Sequence, residues 1–204
     1  MKLLYSPGAC SLGIHVILEE IGKPFIGERF STRDGGTYKP EFVAMNPKSK
    51  VPTLVRDDGS VLTEFQTIAF WLAKSNPDAR LIPGDIEGEA RVLEMLDYIC
   101  GTIHPQGFTR QFRPVNFARD AEDEPRIVAQ GKALAEKYLA LLAETWQGQE
   151  WLLPSGYSVA DCALFFIERW CIRAGITPPA RITAHYEAMM ARPAVARALA
   201  TEAA

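Results

Sequence analysis

The chain has 204 residues, 48% of them apolar, and its 22 basic and 25 acidic side chains leave a formal charge of −3. Such a length and apolar content supply a core for one large domain or two small ones, and they exclude a disordered chain. The weakly acidic balance without a basic stripe argues against nucleic acid as a partner, and no apolar run has the length of a membrane span.

In chain order, Lys2 to Tyr5 reads as a short strand, and Pro7 and Gly8 punctuate a turn. From Ser11 onward Ile14, Ile17, Leu18 and Ile21 recur at helical spacing, and Gly22-Lys23-Pro24 ends the helix. Cys10 therefore falls at the mouth of a strand-to-helix turn, where unpaired amide N–H groups and the helix dipole favour an anion. That anion is a thiolate on Cys10 itself or a bound ligand; a small packing thiol is the structural alternative. The chain enters this strand without a charged-then-apolar leader, so a cytoplasmic location is expected.

Phe25 to Phe30 is the next strand candidate, followed by the turn cluster Arg33-Asp34-Gly35-Gly36 and a short helix over Pro40 to Met45. Pro52 starts a strand over Thr53–Val55, where a missing N–H is tolerated. Asp57-Asp58-Gly59 makes a hairpin turn to Val61–Leu62. Thr63 with Gln66 has the form of a capping box for a helix running to about Ser75. Residues 1–78 thus read as a compact α/β layer. After a linker with two prolines, residues 87–204 carry long amphipathic patterns: Val92, Leu93, Leu96, Ile99 and Ile103; then Ile127, Leu134, Tyr138, Leu141 and Leu142; then Ala163 to Ile172. That half reads as a helical bundle. Ser158 caps its central helix with Asp161 reaching back, a structural motif contributing about 0.5–2 kcal/mol.

Cys10, Cys100, Cys162 and Cys171 match no zinc pattern and no redox pair, so four free thiols and no metal are expected. The last three sit in apolar helical patterns and read as packing residues.

This order of parts, together with Ser6-Pro7-Gly8-Ala9-Cys10-Ser11, Asn46-Pro47-Lys48, Val51-Pro52, Thr63-Glu64, the His104 region, Ser158 to Asp161 and Arg192-Pro193, resembles the cytosolic glutathione S-transferases, and the opening motif resembles their bacterial beta class. The resemblance implies a thioredoxin-like N-terminal domain that holds glutathione, an all-α second domain, and a homodimer. It implies that Pro52 is a cis-proline and that Val51 offers its backbone to the cysteinyl part of glutathione, as an extended peptide pairs with a strand edge. Glu64 and the N–H of Phe65 match the pair that receives the γ-glutamyl end; a Ser hydroxyl is common at the position of Phe65 in other classes. Arg33 matches a basic residue that meets the glycyl carboxylate, and Asp97 stands where the beta class often has Asn. Cys10 resembles the class cysteine near the glutathione sulfur, Ser11 is a second candidate, and Tyr5 a third. His104 corresponds to a histidine facing the active site, where it would donate a hydrogen bond or favour a thiolate. The implied activity is conjugation of the glutathione thiolate to a small, mostly apolar electrophile in a cleft lined by Tyr5, Phe108, Phe112, Arg113 and Trp170. The rival readings are a monothiol disulfide reductase using Cys10 and a non-catalytic glutathione-binding protein.

Overall fold

Short apolar runs bounded by turn residues, and the helical periodicity between them, sort into a sheet and its covering helices. A computed structural model describes residues 1–203; Ala204, the end of the helical half expected from sequence, lies outside the described residues. Strands β1 (Lys2–Tyr5), β2 (Ile26–Arg29), β3 (Thr53–Val55) and β4 (Val61–Thr63) form one sheet in the order β2-β1-β3-β4. β1 runs parallel to β2, and β3 is antiparallel to both of its neighbours, with Leu3 opposite Leu54 and Leu54 opposite Leu62. The expected hairpin closes through Arg56 N–H to the Ser60 carbonyl (2.9 Å).

Because strand side chains alternate, Leu3 and Leu4 enter different cores. Leu3 packs under helices α1 (Ser11–Ile21) and α3 (Phe65–Ser75), whereas Leu4 meets Phe30, Val51 and Phe42 of the short helix α2 (Pro40–Val43). Both sheet faces are therefore buried. α1 ends at Gly22 in the left-handed region (φ 70°), whose N–H returns to the Leu18 carbonyl.

The second half consists of α4 (Ile86–Asp97), a π-helical continuation (Tyr98–Thr109), the short turn α5 (Arg110–Phe112), α6 (Glu124–Thr145), α7 (Val159–Ala174), α8 (Ala180–Met190) and α9 (Pro193–Ala203). The sequence pattern gives no sign of the π winding. Pro105 lies inside it, and proline removes one ladder donor and crowds the preceding turn. The inward stripe of α6 is Ile127, Gly131, Ala135, Leu139 and Leu142, so Leu141 faces out, as does Leu93 of α4. Small residues let α6 approach the π segment closely: a Cβ on Gly107 would stand 2.9 Å from that of Ala135.

α7 runs through the middle of the core, buried from Val159 to Glu168. The Ser158–Asp161 capping box forms as expected. Asp161 does more: Oδ1 also accepts the Leu152 N–H (2.8 Å) and faces His185 Nε2 (3.1 Å). His185 Nδ1 meets Glu168 at 2.7 Å. Burial lowers the His185 pKa, but hydrogen bonds and charge from Asp161 and Glu168 outweigh burial and bring it to about 9.

The capping box expected at Thr63 and Gln66 does not form. The chain turns at Glu64 with φ 70°, and α3 starts at Phe65 without a side-chain cap. The Thr63 hydroxyl instead accepts a hydrogen bond from Lys48 Nζ (2.9 Å).

Candidate functional site

The turn between β1 and α1 is fixed from within and from outside. Ser11 is wholly buried; its hydroxyl donates to the Ser6 carbonyl (3.2 Å) and accepts the Ser6 N–H (3.1 Å). Its hydrogen bonds thus close the turn, and the side chain does not face a ligand. Gly8, at φ +69°, adopts a conformation that disfavours other residues. Both polar groups of Gly8 are held by the helical half: its N–H donates to Glu202 Oε2 (2.9 Å) and its carbonyl accepts Trp170 Nε1–H (2.8 Å). Tyr5 lies behind this turn, 5% exposed and packed against the His15 ring. It belongs to the core, not to the cleft wall expected from sequence.

Cys10 stands at the N-terminus of α1, with its Sγ 3.4 Å from the Val51 carbonyl. The bond from Val51 to Pro52 is cis, as the resemblance implied. Of the readings left open for this helix end, a thiolate on Cys10 itself is disfavoured. Burial pushes the Cys10 thiol from 9.0 up to about 12, against the lowering effect of the backbone hydrogen bonds at Cys10 and Ser11. A helix dipole is worth about 0.3–1 kcal/mol, less than the roughly 1.4 kcal/mol of a single pKa unit, so burial wins.

The strand edge at Val51 continues to Glu64 at the start of α3. The Glu64 carboxylate is exposed and pairs with Lys48 Nζ at 2.6 Å. The Phe65 ring turns inward, 5% exposed and 5.4 Å from Phe166. The ring therefore does not crowd the start of α3, where first-turn N–H groups lack intrahelical partners. Only the hydroxyl of a serine is missing at this position. Asp97 comes within 3.4 Å of Gln66 Nε2 beside the same helix start, away from the aromatic wall.

The wall opposite Cys10 comes from the π segment, α5 and α7. His104 is half-buried, with its ring 4.8 Å from Trp170 and 5.7 Å from Phe166. Burial, then the positive charge of Lys50, lowers its pKa to about 4, so the imidazole is neutral at pH 7. Phe108 is wholly buried behind Trp170, while Phe112 is partly exposed with its ring 5.6 Å from Trp170. Arg113 donates to the Thr32 carbonyl across the cleft. Arg33 is exposed beside it, and Arg173 of α7 lies 4.2 Å over the Phe112 ring.

The structure brings to the site residues to which the sequence assigned no role there: Glu202, Lys48, Lys50, Arg173 and Cys100. Glu202 gave no pattern to read. Cys100, taken as a packing residue, is half-buried near Cys10; burial, then the Cys10 charge, raises its pKa. All four cysteines are free, and no cluster among the described residues is suited to a metal ion.

Residues 8–75 match the family model described as the glutathione S-transferase N-terminal domain. The chain is 35% identical to glutathione S-transferase GstA of Escherichia coli O157:H7, over 99% of this chain and 98% of that protein. It is 28% identical to glutathione S-transferase GST-4.5 of Xanthomonas campestris pv. campestris, again over 99% and 98%. Among solved structures, a glutathione transferase homologue from Sulfitobacter with bound glutathione superposes with a TM-score of 0.92 at 25% identity, covering 98% of this chain and 97% of that one. A beta-class glutathione S-transferase of Sphingomonas chungbukensis gives 0.86 at 32% identity, covering 99% and 98%. A turn ending in Cys10 against a cis-proline edge, full-length similarity and the shared two-part architecture lead to one conclusion: the chain belongs to the glutathione S-transferase family.

Proposed function

We propose that this protein binds reduced glutathione along the Val51 edge and conjugates it, through its sulfur, to a small electrophile held against Phe112, which Trp170 backs. The observation that carries this reading is the meeting of Cys10 Sγ with the Val51 carbonyl at 3.4 Å, next to the free start of α3. An extended tripeptide fits such an edge: Val51 pairs with its cysteinyl backbone, Glu64 takes the ammonium of its γ-glutamyl end, and the Phe65 N–H takes the adjoining carboxylate. Asp97, beside the same helix start, adds a second carboxylate toward that ammonium, and Arg33 meets the glycyl carboxylate. Residues 1–78 form the glutathione-binding domain and residues 87–204 the domain that carries the second substrate.

When bound, glutathione supplies a thiolate that forms a carbon–sulfur bond as the leaving group departs with the bonding electron pair; the thiol proton goes to solvent. The chain positions that sulfur and stabilises its charge. His104, being neutral, keeps one ring N–H and donates it toward the sulfur. Cys10, with a thiol held up at about 12, is a hydrogen-bond donor at the site and not the attacking nucleophile. This favours conjugation over Cys10-based disulfide reduction. The protein acts in the cytoplasm, in detoxification of electrophiles, as a homodimer pairing the α/β half of one copy with the helical half of the other. Exposed Ile86 and Leu93 on α4 support the dimer by offering an apolar outer face.

Calorimetric titration of reduced glutathione tests the reading. One site per chain in the micromolar-to-millimolar range is expected, with about tenfold or greater weakening in Glu64→Ala. No heat at millimolar ligand overturns it. Sedimentation as a monomer at micromolar concentration removes the dimer.

A further inference from the structure

The cleft beside Cys10 has a closed rim. Trp170 holds the Gly8 carbonyl and packs on Phe112; Arg113, next in sequence to Phe112, reaches the Thr32 carbonyl; the Thr32 N–H in turn donates to Ser6 Oγ (3.1 Å), at the start of the same turn. One arc of this rim is aromatic. The other carries Arg33, Arg113 and Arg173, all exposed. The chain has 25 acidic side chains and a net negative charge, yet among the described residues none forms an ion pair with any of these three arginines. Asp34, the nearest acid in sequence, turns Oδ1 back to the Gly36 N–H of its own loop (3.0 Å).

Like charges gathered without a counter-ion repel one another. Burial, then the positive charges of Arg33 and Arg113, lowers the Arg173 pKa from its ordinary value. Stacking on Phe112 keeps the Arg173 guanidinium at the edge of the aromatic surface despite that repulsion. Bringing these cations to the mouth of a cleft is unfavourable until an anion arrives, and the planar fork of arginine matches a carboxylate. Arg33 is taken by the glycyl carboxylate in the binding mode proposed above. Arg113 and Arg173 remain, and they flank the wall for the second substrate.

We infer that the second substrate is an anionic aryl electrophile: its ring lies against the partly exposed Phe112, which the buried Trp170 backs, while a carboxylate, or a group of like charge and shape, is held by Arg113 and Arg173. This rests on the transferase reading and narrows it.

The test uses 4-chloro-3,5-dinitrobenzoate and its methyl ester at saturating glutathione. In both, sulfur bonds to the ring carbon bearing chlorine and chloride leaves with the electron pair. The two differ in charge and in one methyl group, and the ester activates its ring more strongly, so kcat/KM for each is divided by that compound's uncatalysed second-order rate constant with glutathione. After this normalisation, kcat/KM is expected to favour the acid by about tenfold. Arg113→Gln and Arg173→Gln are each expected to bring the acid-to-ester ratio towards unity. Arg173→Lys should retain part of it, keeping charge without the fork. Salt raised from about 0.02 to about 0.5 M should lower the ratio as well. A wild-type ratio at or below one, with the ester turned over, overturns the inference and leaves the transferase reading intact. A ratio unchanged in the Gln variants while KM for glutathione rises also overturns it, by assigning the arginines to the tripeptide. No turnover of either compound and no glutathione heat overturn both together.

Discussion

His104 and His185 each lie edge-on to tryptophan, 4.8 Å from Trp170 in one case and 5.4 Å from Trp146 in the other. Their pKa values nevertheless part in opposite directions, to about 4 and about 9. Aromatic burial is common to both and disfavours charge in both. The difference is that His185 has Asp161 and Glu168 within hydrogen-bond distance, whereas His104 has the Lys50 charge and no acid partner. One imidazole becomes a buried cation that ties α7 to α8. The other stays a neutral polar edge in an apolar wall. Charged partners separate these two histidines.

The sharpest way to break that comparison is to remove the acid. Asp161→Ala leaves the Leu152 and Ser158 N–H groups and His185 without their partner. A loss of about 3–5 kcal/mol is expected in urea unfolding; a loss below about 1 kcal/mol would mean that the network is not charged as described. Phe65→Ser comes close in size. It restores a hydroxyl at the start of α3 but removes a buried ring from behind Phe166, which also backs His104. A cost of about 3–5 kcal/mol is expected for the cavity, and water entering behind the wall should bring the His104 pKa up towards 6.5, read by NMR titration.

The pH dependence sharpens the contrast from the other side. The folded pKa of His185 is raised, so its contribution to stability is present in full below about 6.5 and is lost as pH rises through about 9. The folded pKa of His104 is lowered, so the unfolded chain takes up a proton first, and stability falls as pH drops from about 6.5 to about 4. Urea midpoints measured across both windows should decline at both ends, and Asp161→Asn should flatten only the alkaline decline. The smallest expected effect is His104→Phe, which removes the ring donor. It should lower kcat by about tenfold without changing the shape of the rate profile between pH 5 and 7, because that imidazole does not titrate there. An inflection near 6.5 that the substitution abolishes would instead make His104 an acid–base group.

Most of the architecture is legible because it is written in local signals: the short apolar run at Lys2–Tyr5, helical spacing from Ser11, and the cap at Ser158. What stayed hidden depends on contacts between distant residues. The pattern around His104 does not reveal π winding, since Pro105 can end, kink or widen a helix. Phe65 was read through its position in the motif, yet its ring direction is set by Gly13, whose missing Cβ leaves room for it: a Cβ there would lie 2.7 Å from the ring. Cys10 reads correctly as standing at a helix start, but the burial that overrides the dipole there, and the Val51 carbonyl it meets 41 residues on, come only with the folded chain. Arg33, Arg113 and Arg173 lie far apart in the chain and share a rim only once folded. The apolar stripe of α6 was misread at Leu141 because Gly131 and Ala135, which carry the close approach, count as weak signals in any hydrophobic pattern.

The hold on Gly8 bears on how the protein is made. Its N–H waits for a carboxylate 194 residues later in the chain. At about 5–20 residues per second, synthesis needs roughly 10–40 s to cover that distance. The turn carrying Cys10 leaves the ribosome well before the helix that supplies this restraint. A nascent chain can thus assemble its sheet while the thiol beside it remains unclamped, and activity should mature only after α9 has emerged.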